Sequence, residues 1–238
     1  LSTRVKLNLG LRFTYFHAGG KGYAALRPRL ALSYRFAPSF SLKASYAEMN
    51  QYVHLLSETY LAIPSDLWLP AGPRIRPMMS RIGSVGIYSD RLEGFDCSLE
   101  GYYKTMDHLL EYRENKYLLP AVSSWEDYVT EGSGRSYGLE AMVKKRAGRL
   151  TGWVGYTLSW TDRLFPMLNR GRRFPARFDN RHKLNIVGAY KLNPKIELTA
   201  SWTYASGNWQ TVPVEEYHTG ELGGTIYGWE YPYDYGMS

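Results

Sequence analysis

Apolar and polar residues alternate strictly over most of this chain. Between residues 184 and 192, Leu184, Ile186, Gly188, Tyr190 and Leu192 share one phase. Between residues 196 and 204, Ile196, Leu198, Ala200, Trp202 and Tyr204 do, with Glu197, Thr199, Ser201 and Thr203 in the other. A period of two predicts strands, because successive Cβ atoms point to opposite faces of a pleated sheet. Asn193-Pro194-Lys195 joins the two runs and predicts a tight hairpin turn. Each run is about 10 to 12 residues long, against roughly 5 or 6 for an ordinary strand. Tilted by about 40°, such strands span the roughly 25 Å apolar band of an outer membrane.

The same alternation predicts strands over residues 5–16, 26–36, 40–50, 79–88, 95–104, 137–145 and 150–161. It breaks down over 51–77, where a loop with one short helical turn near 52–57 is expected, over 105–135 and 162–179, and over a tail from Asn208 that reads as loop. Connections at 37–39, 90–94, 147–149 and 193–195 are short, whereas those at 17–25, 51–77, 105–135, 162–179 and beyond 208 are mostly long. In an antiparallel meander every second connection lies at the same end. One rim of minimal turns and one of large loops predicts an all-β, antiparallel transmembrane β-barrel segment, with the short turns periplasmic and the long loops extracellular.

The polar phase agrees with a wet interior, since it mixes Ser, Thr, Gly and Asn with occasional Lys, Arg and Glu. Aromatic residues, including Tyr15, Tyr34, Phe36, Phe40, Tyr46, Tyr190, Trp202 and Tyr204, recur near strand ends in the apolar phase, as in interfacial girdles. The 238 residues include 21 Tyr and 23 Gly, counts that favour strands and turns over helix. No run of 18 apolar residues exists, which rules out a membrane-spanning helix but leaves a barrel open. The net charge of +7 is dispersed, with only residues 170–181 concentrated, so no nucleic-acid partner is expected. Cys97 lies in an apolar phase and reads as a small hydrophobe. About nine strands are an odd number, where a closed single-chain barrel needs an even one, and they leave both edges unpaired at membrane depth. The chain, which opens at Leu1-Ser2-Thr3, is expected to be part of one larger barrel domain.

Three segments carry a resemblance: residues 26–56 (LRPRLALSYRFAPSFSLKASYAEMNQYVHLL), 136–161 (SYGLEAMVKKRAGRLTGWVGYTLSWT) and 172–208 (RRFPARFDNRHKLNIVGAYKLNPKIELTASWTYASGN). The Pro28-Arg29 and Tyr137-Gly138-Leu139-Glu140 strand starts, and the approach from Phe174-Pro175 to Asp179-Asn180-Arg181-His182, resemble later barrel strands of TonB-dependent outer-membrane receptors. The likeness is to the large Bacteroidota type, including its SusC-like branch. That resemblance implies a 22-stranded barrel, of which residues 1–238 would form roughly the last third, without the N-terminal plug domain and the final strands. It implies import of a siderophore, glycan, peptide or similar nutrient across a Gram-negative outer membrane. The implied partners are membrane lipid and lipopolysaccharide, the protein's own plug, the TonB complex and a surface lipoprotein. A plug-less porin, an adhesin or assembly barrel, and an outer-membrane barrel enzyme remain open alternatives.

No catalytic set is expected: the five histidines are dispersed, no metal-ligand spacing occurs, and neither a nucleophile motif nor a phosphate loop is present. No cofactor follows. Asp179, Arg181 and His182 are expected to form a charge-assisted cluster at a loop root. The candidate cargo contacts are loop aromatics, whose flat rings stack on sugars or chelates: Tyr60, Trp68, Trp125, Tyr128, Trp209, Tyr227 and Trp229. Beside them Arg74, Arg76, Arg172 and Arg173 would attract an anionic cargo.

Overall fold

A computed structural model describes residues 4–56, 67–113 and 125–209, and the backbone of two further strands within 212–230. In chain order the strands are β1 (Val5–Ala18), β2 (Lys21–Ala37), β3 (Phe40–Gln51), β4 (Val53–Leu56), β5 (Leu67–Pro70), β6 (Met78–Ser89) and β7 (Phe95–Tyr112). They continue with β8 (Val129–Lys145), β9 (Leu150–Leu164), β10 (Phe174–Pro175), β11 (His182–Asn193), β12 (Ile196–Ala205), β13 (Val212–Thr219) and β14 (Gly224–Glu230). The main sheet runs β1-β2-β3-β6-β7-β8-β9-β11-β12, with β10 beside β9. Every neighbouring pair is antiparallel. The path is a meander of nine strands, as the alternation predicts.

Register aligns the two chemical phases across the whole sheet. One row joins Leu7, Leu32, Ala44, Val85, Gly101, Leu139 and Leu158. A second joins Tyr34, Leu42, Ile87, Leu99, Ala141, Tyr156, Leu184 and Tyr204. On the opposite face Lys6, Ser33, Lys43, Gly86, Glu100, Glu140, Thr157 and Lys183 make a polar row. Among the described residues nothing covers the apolar face: Leu9, Leu11, Phe13 and Tyr15 are 66, 66, 68 and 65 % exposed. Buried apolar clusters among the described residues lie only in the loop region, around Leu56 and around Phe165. A single exposed Leu is ordinary, but a continuous apolar band over nine strands requires a hydrocarbon surrounding.

Aromatic rows border that band. Tyr103, Tyr137 and Trp160 stack at centroid distances of 6.2 and 5.5 Å near the long-loop end, while Phe36 stacks on Phe40 at 5.9 Å beside a short turn. These positions suit the two membrane–water boundaries, where an amphipathic ring meets both phases.

The structure corrects four local expectations. The connection over 17–25 is short, because Gly19 and Gly20, at φ 55° and 78°, close a two-residue turn between Ala18 and Lys21. Consecutive left-handed residues suit the twist of a hairpin, and glycine adopts them without a Cβ clash. Residues 53–56 form a strand paired with 67–70, replacing the expected helical turn. Much of 105–135 continues β7 and β8: a bulge at His108, φ 60°, shifts the register between Asp107 and Leu109 and reverses the alternation read from sequence. The tail contains the β13–β14 hairpin where only loop was expected.

Candidate functional site

The long-loop end is built on two small cores that flank adjacent residues of β7. Leu110 packs with Leu56, Leu69, Ile75 and Val129, with Trp125 and Tyr112 against them. Leu109 packs with Phe165, Leu168 and Phe174, and Met78 and Met106 close that cluster from the strands. Leu109 and Leu110 are successive residues of one strand and point to opposite faces, which sends them into two different loop cores.

The first loop, residues 71–77, is pinned to the sheet by backbone and side-chain bonds. Ala71 N donates to Tyr52 O at 2.7 Å, and the Tyr23 hydroxyl donates to Gly72 O at 2.7 Å. Tyr52 stacks on Phe16 at 5.0 Å and shares a 2.6 Å hydrogen bond with Thr14. Arg74 reaches Glu126 at 2.7 Å and Asp127 at 2.5 Å, on the short 3-10 helix Trp125–Tyr128. Arg76 holds Glu131 through Nε at 3.1 Å and Nη2 at 2.7 Å, and His108 Nδ1 donates to the same carboxylate at 3.3 Å. Behind it, His54 is 2 % exposed, with Nε2 3.0 Å from Arg76 O. Burial pushes the His54 pKa below its usual 6.5, so the imidazole stays neutral and donates from Nε2. Glu131 lies about 20 Å along β8 from the aromatic row, well outside the membrane. Burial would raise its pKa, but the bonds from Arg76 outweigh that and hold it below the usual carboxylate value.

The second loop, residues 165–181, presents its cations differently. Arg173 pairs with Asp162 at 2.7 Å, and Asp162 also binds Arg135 at 2.7 Å. Asp179 is 2 % exposed and accepts from Thr161 N at 2.6 Å and Arg181 Nε at 2.8 Å. Arg181 lies over the Trp160 ring at 5.6 Å, and His182 Nδ1 meets the Tyr156 hydroxyl at 2.7 Å. Asp179 and Arg181 form the expected charge-assisted pair at the loop root, whereas His182 bonds Tyr156 rather than joining them. Arg170 and Arg172 are exposed, and no carboxylate among the described residues pairs with either.

Of the predicted contact residues, Trp68 stands on β5 and is 62 % exposed. Trp125 and Tyr128 are half-buried at the ends of their helix, with Tyr128 O accepting from Arg113 N. Arg74, Arg76 and Arg173 are committed to ion pairs, which leaves Arg172 as the open cation of that set. Trp209 is half-buried and its backbone N–H donates to Arg177 O at 3.0 Å. Tyr60 and the side chains of Tyr227 and Trp229 lie outside the described residues. The structure adds Arg177 and Phe178, with the guanidinium 5.2 Å over the ring and Phe178 63 % exposed. Their trace in the sequence is the repeated Arg-Phe in RRFPARF, which a strand-centred reading passes over.

Residues 1–236 match the family described as TonB dependent receptor-like, beta-barrel. Among solved structures the chain is similar to the ferripyoverdine receptor of the Pseudomonas aeruginosa outer membrane, at 14% identity and a TM-score of 0.64, covering 96% of this chain and 29% of that one. It is similar to the FrpB iron transporter from Neisseria meningitidis, at 15% identity and a TM-score of 0.59, covering 87% and 31%. The ferric-catecholate import receptor Fiu from K12 E. coli gives 12% identity and a TM-score of 0.56, covering 96% and 35%. No curated protein matches the sequence. The chain thus spans about a third of the length of these structures, and at such identities the likeness is one of fold. The family match, covering nearly the entire sequence, selects the receptor reading over the porin, adhesin and enzyme alternatives. With an apolar band facing outward, a polar face opposite and loops gathered at one rim, this chain belongs to the TonB-dependent receptor-like β-barrel family of the Gram-negative outer membrane.

Proposed function

We propose that this chain forms the later part of the barrel of a TonB-dependent transporter that imports a ferric siderophore. The observation that carries the cargo class is the rim patch on the second loop. The Arg177 guanidinium lies over the exposed Phe178 ring next to Trp209, and Arg172 stands exposed on the same loop, on a scaffold fixed by Phe165, Leu168 and Phe174. Ferric chelates are flat, aromatic or conjugated, and often anionic, so rings and guanidinium groups at an open rim suit them. The three solved structures above are described as receptors or transporters of iron or its chelates, which supports the same reading.

The parent protein is proposed to enclose an N-terminal plug in the lumen behind the polar face and to take energy from the TonB complex. Residues 1–238 would be one part of that barrel, with the plug and the last strands supplied by the rest of the parent. Trp68, exposed on β5, supports a second cargo class, since an exposed indole face stacks on a sugar ring. A glycan receptor of the SusC-like branch with a surface lipoprotein would fit that reading.

Quenching of tryptophan fluorescence by ferric siderophores, measured on the parent protein in detergent, separates the two. Saturable quenching that weakens about tenfold or more in the Arg172→Ala, Arg177→Ala double variant supports the siderophore. Binding of oligosaccharide alone, lost in Trp68→Ala, would replace it with the glycan. Uptake by cells that persists after the proton gradient is collapsed would remove the TonB-dependent reading altogether.

A further inference from the structure

The rim of short turns is uneven in charge. The β2–β3 and β6–β7 turns lie side by side, with Asp90 N donating to Ser39 O at 3.2 Å, and their Arg35 and Arg91 are matched by Asp90 and Glu93. The β8–β9 and β11–β12 turns instead carry Lys144, Lys145, Arg146, Arg149, Lys191 and Lys195 against Asp96 and Glu197. Lys191 N donates to Arg149 O at 2.8 Å, which joins the two turns into one basic patch. Asp96 stands across from Lys144 in the register and meets Arg146 Nε at 3.3 Å, and Glu197 stands across from Lys191. Among the described residues no carboxylate is in ion-pair contact with Lys145, Arg149 or Lys195.

Lys145 belongs to the apolar phase of β8. It follows Leu139, Ala141 and Val143 on the outward face and pairs in register with Phe95 and Gly152. Its Nζ is 5.8 Å from the Phe95 ring centroid and 4.0 Å from where a Cβ on Gly148 would lie, so the side chain runs back along the turn and away from the apolar band. A lysine on the lipid side of a barrel takes this course to bring its ammonium to the headgroup layer. Next to it on the outward face Leu150, Tyr190 and Leu198 form one cross-strand row, 52, 41 and 58 % exposed. Cations at the membrane boundary thus adjoin an apolar surface at membrane depth.

We propose that this patch binds an anionic phospholipid of the periplasmic leaflet, with its phosphodiester held by Lys145 and Arg149 and its acyl chains on the row of Leu150, Tyr190 and Leu198. Charge selects the headgroup. A local excess of cations attracts a lipid of net negative charge, whereas the amine of a zwitterionic phospholipid meets the same cations and cancels the gain. Each Lys or Arg beside an anionic surface strengthens association by about fivefold. Depth selects the leaflet, because lipopolysaccharide occupies the other one, beside the long loops. The site rests on the reading that the short turns face the periplasm.

The test uses the parent protein in detergent, offered phosphatidylglycerol and phosphatidylethanolamine with identical acyl chains, and reads retained lipid by native mass spectrometry. Phosphatidylglycerol is expected to be retained at least tenfold more tightly. That preference should fall to near parity in Lys145→Gln, Arg149→Gln and persist in Arg35→Gln, Arg91→Gln, which removes as many charges from the balanced turns. Equal retention of the two lipids, an unchanged preference in the first variant, or equal loss in both variants overturns the site. Displacement of the lipid by inorganic phosphate alone also overturns it, because the patch would then take a free anion. Heat-dependent electrophoretic mobility reports that each variant is folded. An epitope inserted between Ala147 and Gly148 checks the orientation by itself: antibody binding only after the outer membrane is permeabilised supports it. Binding to intact cells overturns the site through its orientation, an outcome distinct from failure of the lipid preference.

Discussion

Glu131 gathers the polar contacts of the first loop into one residue. It accepts the Arg76 backbone N–H at 3.1 Å, both guanidinium contacts and the His108 imidazole, while the Arg76 carbonyl is held in turn by His54. Exposed ion pairs contribute about 0–1 kcal/mol, but a half-buried carboxylate that accepts two guanidinium nitrogens on Oε2 and a backbone N–H on Oε1 is worth more than that. Glu131→Gln is expected to destabilise the loop by about 1–3 kcal/mol, because Arg76 loses its counter-charge while its neighbours stay ordered. Proteolysis of residues 71–77 measures this, and unchanged cleavage refutes it. The same chain of contacts gives a pH dependence. His54 has a lowered folded-state pKa, so its contribution is complete above 6.5 and is lost as pH falls below 6.5 toward that folded value. Glu131, also lowered, contributes above its usual 4.5 and loses that contribution as pH falls through its folded value. Loop cleavage should therefore rise in two stages on acidification. His54→Gln, which keeps a donor for Arg76 O without titrating, should abolish the first stage only.

The elements differ in how openly the sequence announces them. The nine wall strands are legible because one face meets hydrocarbon and the other water, which imposes a strict period of two on every membrane-spanning residue. Outside the membrane that constraint ends. Leu109 and Leu110 are both buried, on opposite faces, so the apolar run there carries no alternation and β7 is hidden beyond the bulge. The four-residue strands β4 and β5 are too short to show a period. The candidate contact positions are chosen by residue type, as aromatic and basic loop residues, and the sequence does not show their state. Nothing in the sequence distinguishes Arg74, tied to Glu126 and Asp127, from Arg172, which stands open. Close approach is a further feature that only the fold reveals. A Cβ on Gly138 of β8 would lie 2.6 Å from the Leu158 carbonyl oxygen and 2.9 Å from Ser159 Cβ, both on the neighbouring strand. Gly138→Ala is expected to displace β9 and cost about 1–3 kcal/mol, as overpacking does. Phe165→Ala, by contrast, empties the second loop core and should cost about 3–5 kcal/mol locally. Denaturant unfolding should register the first, and loop-specific proteolysis the second with little change in the global transition.

For the molecule as a whole, the assignment of faces has to agree with the energetics of its solvent. In water, the exposed band from Leu7 to Leu158 would be a liability, and replacing one of its members with a charge would improve solubility at little cost. In a bilayer the same change places a guanidinium in hydrocarbon. Val85, 53 % exposed, lies in the row between the aromatic borders, at the depth where that penalty is largest. Val85→Arg is therefore expected to destabilise the folded barrel by about 2–4 kcal/mol in lipid vesicles. Thr157 lies on the other face, across from Glu140 and beside Lys183 in the register. Thr157→Arg faces the wet interior near a carboxylate, and its expected cost is below about 1 kcal/mol. Reversible unfolding in vesicles compares the two directly. Equal penalties, or a larger one at Thr157, would mean that the apolar face does not meet lipid. The contrast should also vanish in a homologous series moved toward the membrane boundary, because the penalty falls with depth while the lumen side stays hydrated throughout. Phe36→Arg, beside the short turn and next to Phe40, should accordingly cost much less than Val85→Arg although both replace exposed apolar residues.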